Sequence, residues 1–107
     1  MSQFLYKIQP VRPEALTSGF TEQEKKTISE HFEYLKRLTE SGTVLLAGRT
    51  TNIESNSFGI VIFSADSVEA ARRIVNEDPA VANRVFRAEL FPYRNSLINN
   101  ASRHWQQ

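Results

Sequence analysis

The chain has 107 residues, the length of one ordinary domain. Hydrophobic residues make up 40%, charged residues 23% and aromatics 10%, with four Gly and four Pro, which excludes collagen-like, low-complexity and wholly disordered chains. Thirteen Lys and Arg against twelve Asp and Glu leave +1, short of the dense basic face of a nucleic-acid binder, and the lack of cysteine excludes disulfides, thiolate catalysis and thiolate metal centres.

Phe4-Leu5-Tyr6-Lys7-Ile8 is aromatic and β-branched and predicts a strand over about 3–9, stopped by Pro10. Residues 10–20 hold Pro10, Pro13 and Gly19 without a period and read as a loop. Thr21-Glu22-Gln23-Glu24 is a capping box that opens a helix running to about Ser41, with Gly42 free to take the positive φ of a C-terminal cap. Its apolar stripe is Ile28, Phe32, Leu35 and Leu38. Thr43 to Gly48 predicts a second strand, and the polar run 49–57 a turn. Phe58 to Phe63 is the most β-like stretch. Asp66 or Ser67 then caps a second helix with Val68, Ala71 and Val75 on one stripe and Ile74 beside it. Asp78-Pro79 ends that helix, because the residue before proline is pushed out of the α region. Ala80 to Asn83 allows one further turn. Val85 to Phe91 is the fourth strand, stopped by Pro92, and 93–107 is a polar tail that contains His104 and Trp105.

The order β-α-β-β-α-β is the split βαβ plan of the ferredoxin-like α+β fold: an antiparallel four-stranded sheet, strand order 4-1-3-2, with both helices on one face. The expected organisation is a domain over 1–92 and a C-terminal extension over 93–107. Helices cover one sheet face only, yet the third strand is apolar on both sides, with Phe58, Ile60 and Ile62 against Gly59, Val61 and Phe63. Side chains the size of Val61 left in water on the second face forfeit about 1.5–3 kcal/mol each. The expected remedy is a homodimer packed sheet against sheet; the alternatives are a tail folded back over that face or a small patch that needs no cover. Lys7, Arg87 and Glu89 are expected on the second face too.

The longest apolar run, Ile60-Val61-Ile62-Phe63, is far below the roughly 20 residues of a membrane span. Met1-Ser2-Gln3-Phe4 has neither the charged nor the apolar region of a signal peptide. The expectation is a soluble cytoplasmic protein with no membrane partner. Residues 84–107 carry four arginines and one glutamate, a local bias that does not amount to a nucleic-acid surface.

His31 falls within the helix stripe that faces the sheet, three residues after Ile28 and four before Leu35. A histidine there is either a structural residue with its ring nitrogens satisfied or a general acid or base, since imidazole titrates near neutral pH. Asp78 is the best-placed orienting partner, because the end of the second helix lies near the N-terminal half of the first; the alternative is a plain helix-end residue. Asp66 is better suited to capping. Arg49, at a strand end beside a glycine, is a candidate to hold a carboxylate, with a solvated loop arginine as the alternative. His31 and His104 are the only histidines, which disfavours a multi-histidine metal site. No glycine-rich phosphate loop or nucleophile elbow is present.

His31-Phe32-Glu33-Tyr34-Leu35, Leu38…Ser41-Gly42…Leu45-Leu46-Ala47-Gly48, Gly59…Ile62-Phe63, Ser67…Glu69-Ala70-Ala71 and Glu77-Asp78-Pro79 together resemble the YCII-related (YciI-like) family over about residues 4–92. The resemblance implies a dimeric α+β barrel, a ferredoxin-like variant related in shape to muconolactone isomerase, with a His–Asp dyad in a cleft. Carried over, the dyad falls on His31 and Asp78. This chain has Ala80 where many members have an aromatic after Asp-Pro, and Arg49 where many have proline after Ala-Gly; both changes alter the expected pocket lining.

Two functions follow as expectations. The first is a small-molecule enzyme performing isomerase- or lyase-type proton transfer, or dehalogenation, without a cofactor: His31 moves the proton, Asp78 orients it and Arg49 anchors an anionic group of the ligand. The second is a non-catalytic dimeric ligand-binding or stress-related accessory protein that uses the same cleft.

Overall fold

The computed structural model describes residues 1–99; His104 and Trp105 therefore lie outside the described residues. Eight elements follow in chain order: β1 (Ser2–Pro10), α1 (Ala15–Ser18), α2 (Glu22–Glu40), β2 (Val44–Arg49), β3 (Gly59–Ala65), α3 (Val68–Glu77), α4 (Pro79–Ala82) and β4 (Phe86–Tyr93). The strands form one antiparallel sheet in the order β2-β3-β1-β4, the ferredoxin-like arrangement expected from the sequence.

The capping box forms as read. The Thr21 hydroxyl accepts from the amide of Glu24, and the Glu24 carboxylate accepts from the amide of Thr21. At the other end of α2, Gly42 sits at φ +87°, the Gly42 amide donates to the Thr39 carbonyl and the Thr43 amide to the Leu38 carbonyl. That double closure satisfies carbonyls the helix would otherwise leave open and turns the chain into β2. Ser67, not Asp66, caps α3 by accepting from the Ala70 amide.

Residues directly opposite across neighbouring strands share a sheet face. On the helix side Phe4, Tyr6, Ile8, Val61 and Phe63 join Leu35, Ala71 and Val75 in the core. The Phe63 ring packs on both Phe4 and Tyr6, at 5.9 and 5.7 Å between centroids. On the open side Leu5 stands opposite Ile62 and Phe91, Lys7 opposite Ile60 and Glu89, and Gln9 opposite Arg87. The central strand is thus apolar on both faces, as read, but Val61 turns to the helices, and Ile60 and Ile62 are left on the open side. Ile62 is itself buried, so the exposed apolar surface of this face lies on its flanks, at Leu46 and Phe91.

Four local expectations change. Pro92 does not stop β4, which runs through it to Tyr93, because β4 is an edge strand where a missing amide is tolerated. The 10–20 loop contains α1, a single turn whose hydrogen bonds run from Thr17, Ser18 and Gly19 back to Glu14 and Ala15. Phe32 is exposed rather than part of the packed stripe; the buried face of α2 is Thr27, His31 and Leu35, spaced by four, one turn apart. Val68 is also exposed, because it stands at the first helical position of α3, and only Ala71 and Val75 reach the core.

Candidate active site

Packing of α2 on the sheet delivers His31, the first of four groups that meet at one buried point. The α3–α4 corner delivers Asp78. Its extended backbone, imposed by Pro79, ends α3, and its side chain accepts from the Ala80 amide at 3.0 Å to start α4. Asp78 has no exposed surface. Its carboxylate lies 2.8 Å from His31 Nδ1 through either oxygen, and Tyr6, from β1, donates its hydroxyl to Asp78 Oδ2 at 2.8 Å. The structure thus places His31 and Asp78 in contact as a buried pair.

These bonds decide the tautomer. Buried polar groups are almost always hydrogen-bonded, and an ionised carboxylate only accepts. Asp78 therefore draws a proton onto His31 Nδ1, beside those donated by Tyr6 and the Ala80 amide. Burial first, and the Asp78 charge second, push the Tyr6 phenol far above the ordinary tyrosine range, so it remains a donor. In neutral His31 the lone pair is then left on Nε2. Among the described residues no hydrogen bond falls on Nε2 and no buried side-chain nitrogen or oxygen lacks a partner, so Nε2 reaches open space. Phe86, edge-on to the His31 ring at 5.4 Å, holds the imidazole plane from the side of β4.

The open space is a cleft of about 790 Å³ between α2, the β2–β3 edge of the sheet and the 11–20 segment. Its apolar wall includes Leu16, Phe20, Ile28, Phe32 and Phe86; beside His31, the charged residues that line it are Lys36, Glu40 and Arg49. Arg49 is exposed at the end of β2 and its side chain forms no ion pair or hydrogen bond among the described residues, which leaves its guanidinium available on the cleft rim. Among the described residues no group of three or more His, Asp or Glu could hold a metal ion. No helix of the described residues is long and apolar enough to cross a membrane.

Sequence reasoning missed Tyr6, Leu16, Phe20, Lys36 and Glu40. Tyr6 carried a legible signal: a hydroxyl on the buried apolar face of a strand must find a partner. The two apolar residues sit on the segment read as a loop, and the two charges lie on α2 outside its expected apolar stripe.

A two-layer α+β fold with a buried His–Asp pair opening onto a cleft defines the class of the protein. The sequence profile of the YCII-related domain matches residues 5–93, and the chain belongs to that family. No curated protein sequence matches it. Among solved structures it is similar to 5-chloro-2-hydroxyhydroquinone dehydrochlorinase (TftG) from Burkholderia phenoliruptrix AC1100, solved in complex with 2,5-dihydroxybenzoquinone. The identity is 19%, over 88% of this chain and 95% of that one, with a TM-score of 0.65. Muconolactone isomerase gives 17% identity over 92% and 96%, also with a TM-score of 0.65. The uncharacterized protein TM1266 from Thermotoga maritima gives 14% over 86% and 95%, with a TM-score of 0.54. At these identities the likeness is one of fold.

Proposed function

We propose that the chain is a small-molecule enzyme in which His31 moves a proton and Asp78 holds the ring that moves it. The observation that carries this reading is the asymmetry of the imidazole: Nδ1 is tied to a buried, fully bonded carboxylate, and Nε2 has no partner among the described residues on a ring that lines the cleft. An aspartate on one ring nitrogen raises the basicity of the other and stabilises the imidazolium once the proton arrives. Nε2 takes a proton from a carbon or oxygen acid. Returning it to another atom of the same molecule is isomerisation; losing a leaving group instead is elimination. Neither route uses a cofactor. Arg49 on the rim anchors an anionic end of the substrate, while the apolar wall takes its body. Two structures of similar fold carry the names of a dehydrochlorinase and an isomerase, which supports this range of reactions. The enzyme works as a homodimer, supported by the apolar residues that remain on the open sheet face.

The test uses two probes: a chlorinated hydroxyhydroquinone, followed by chloride release, and muconolactone, followed by isomerisation. Turnover of either that falls about 10²–10⁴-fold in His31→Ala, with the protein still folded, supports the proposal. Turnover untouched by that substitution overturns it. Ligand-sensitive His31 resonances without turnover of any probe assign the cleft to a binding protein instead.

A further inference from the structure

We infer that Tyr6 is a positioning residue, which sets the proton affinity of His31 by holding the far side of the Asp78 carboxylate. The inference rests on the proposed role of His31, but its test does not. Tyr6 lies on the middle strand position that faces the helices and is fully buried, and its hydroxyl makes one hydrogen bond, to Asp78 Oδ2. A strand residue filling space there needs no hydroxyl; Phe4 and Phe63 beside it have none.

The groups bonded to the carboxylate come from three elements. Tyr6 approaches from β1, His31 from α2, and the Ala80 amide from α4. Tyr34, also on α2, feels the Asp78 and Glu77 charges, but its own hydroxyl donates to the Ile74 carbonyl. From β4 the contact to His31 is the uncharged ring of Phe86. Three donors therefore share one negative charge, and only Tyr6 and His31 among them are side chains. Weakening the Tyr6 bond concentrates charge on the side of His31 and favours imidazolium; strengthening it does the reverse.

The experiment is an NMR titration of the His31 imidazole in the ligand-free protein, for wild type, Tyr6→Phe and Tyr6→3-fluorotyrosine. Phenylalanine removes the donor and keeps the ring. The fluorinated phenol is a stronger acid and a stronger donor, and it keeps the bond if Tyr6→Phe fails to fold. The His31 midpoint should rise by about 0.5–1 pH unit in Tyr6→Phe and fall by a smaller amount in the fluorinated protein. Midpoints that stay put, or that move in the same direction in both proteins, overturn the inference and leave Tyr6 as packing. Absence of turnover in the wild-type protein, with the two opposite shifts intact, would sink the enzymatic reading while leaving the positioning role standing. Where a probe is turned over, the acid limb of its rate profile should follow the His31 midpoint while KM changes little.

Discussion

Asp78 answers to two structures at once. It starts α4 through the Ala80 amide and orients His31 through Nδ1. Asp78→Asn keeps an acceptor for Ala80 but turns an amide N–H toward the imidazole, which reverses the favoured tautomer. The expected outcome is a folded protein less stable by about 1–3 kcal/mol, with His31 nitrogen shifts reporting a proton on Nε2, checked by urea denaturation and NMR. An unchanged tautomer would remove Asp78 as the orienting partner. Tyr34, half-buried beside this corner, has its pKa pushed up to about 12, by burial first and then by the Glu77 and Asp78 charges. A phenol whose folded pKa is raised favours the folded state while protonated. Its contribution is complete below the ordinary value of 10 and is lost as pH rises through about 12. Tyrosinate absorbance should therefore show Tyr34 ionising only near pH 12 and Tyr6 only with alkaline unfolding. Early ionisation of all three tyrosines would contradict the packing.

Helix α2 is the element on which the cleft depends, and its first turn is tied to the segment that walls the cleft. Arg12 grips Glu24 with two bonds, Nε to Oε2 at 2.9 Å and Nη2 to Oε1 at 2.6 Å, while Glu24 also completes the capping box. The Arg12 hydrogen bond first, and the Thr21 amide second, lower the Glu24 pKa from 4.5 to about 2. A carboxylate depressed on folding stabilises the native state above its unfolded pKa. This contribution is lost as pH falls from about 4.5 through 2. Acid titrations of stability should flatten in that window in Arg12→Ala, and identical curves for the two proteins would count against the clamp. At the same turn Thr21→Ala should cost about 1 kcal/mol. At the other end Gly42→Ala should cost about 1–2 kcal/mol from backbone conformation alone, since a Cβ there meets nothing within 4 Å.

At the scale of the molecule, the open sheet face mixes Leu5, Ile60 and Phe91 with Lys7, Arg87 and Glu89, a surface suited to a self-complementary two-fold contact. Phe91→Glu places a charge on its exposed flank, far from the buried pair. The expected outcome in sedimentation is a dimer for wild type and a shift to monomer for the variant, with the His31–Asp78 bond retained by NMR. A wild-type protein that sediments as a monomer at high concentration would remove the dimer from the proposal.

Local chemistry was readable without coordinates wherever one residue answers to its neighbours along the chain. Thr21 with Glu24, Gly42 at positive φ, Asp78 before Pro79 and the two-sided apolar pattern of Phe58 to Phe63 each reflect backbone sterics or a short hydrogen-bonded ring, and together they specify the ferredoxin-like order. Which sheet face the helices cover was not readable, because a period of two separates the faces without ranking them; Val61 and Ile60 are equally apolar, and only packing against α2 and α3 chose Val61. The site divides the same way. Helical spacing placed His31 on the inner face, but the Tyr6 hydroxyl and the Asp78 carboxylate are separated by 72 residues and meet only because β1 lies at the centre of the sheet beneath the α3–α4 corner. That meeting is a consequence of closure in three dimensions, where burial removes water and obliges each polar group to find its partner within the protein.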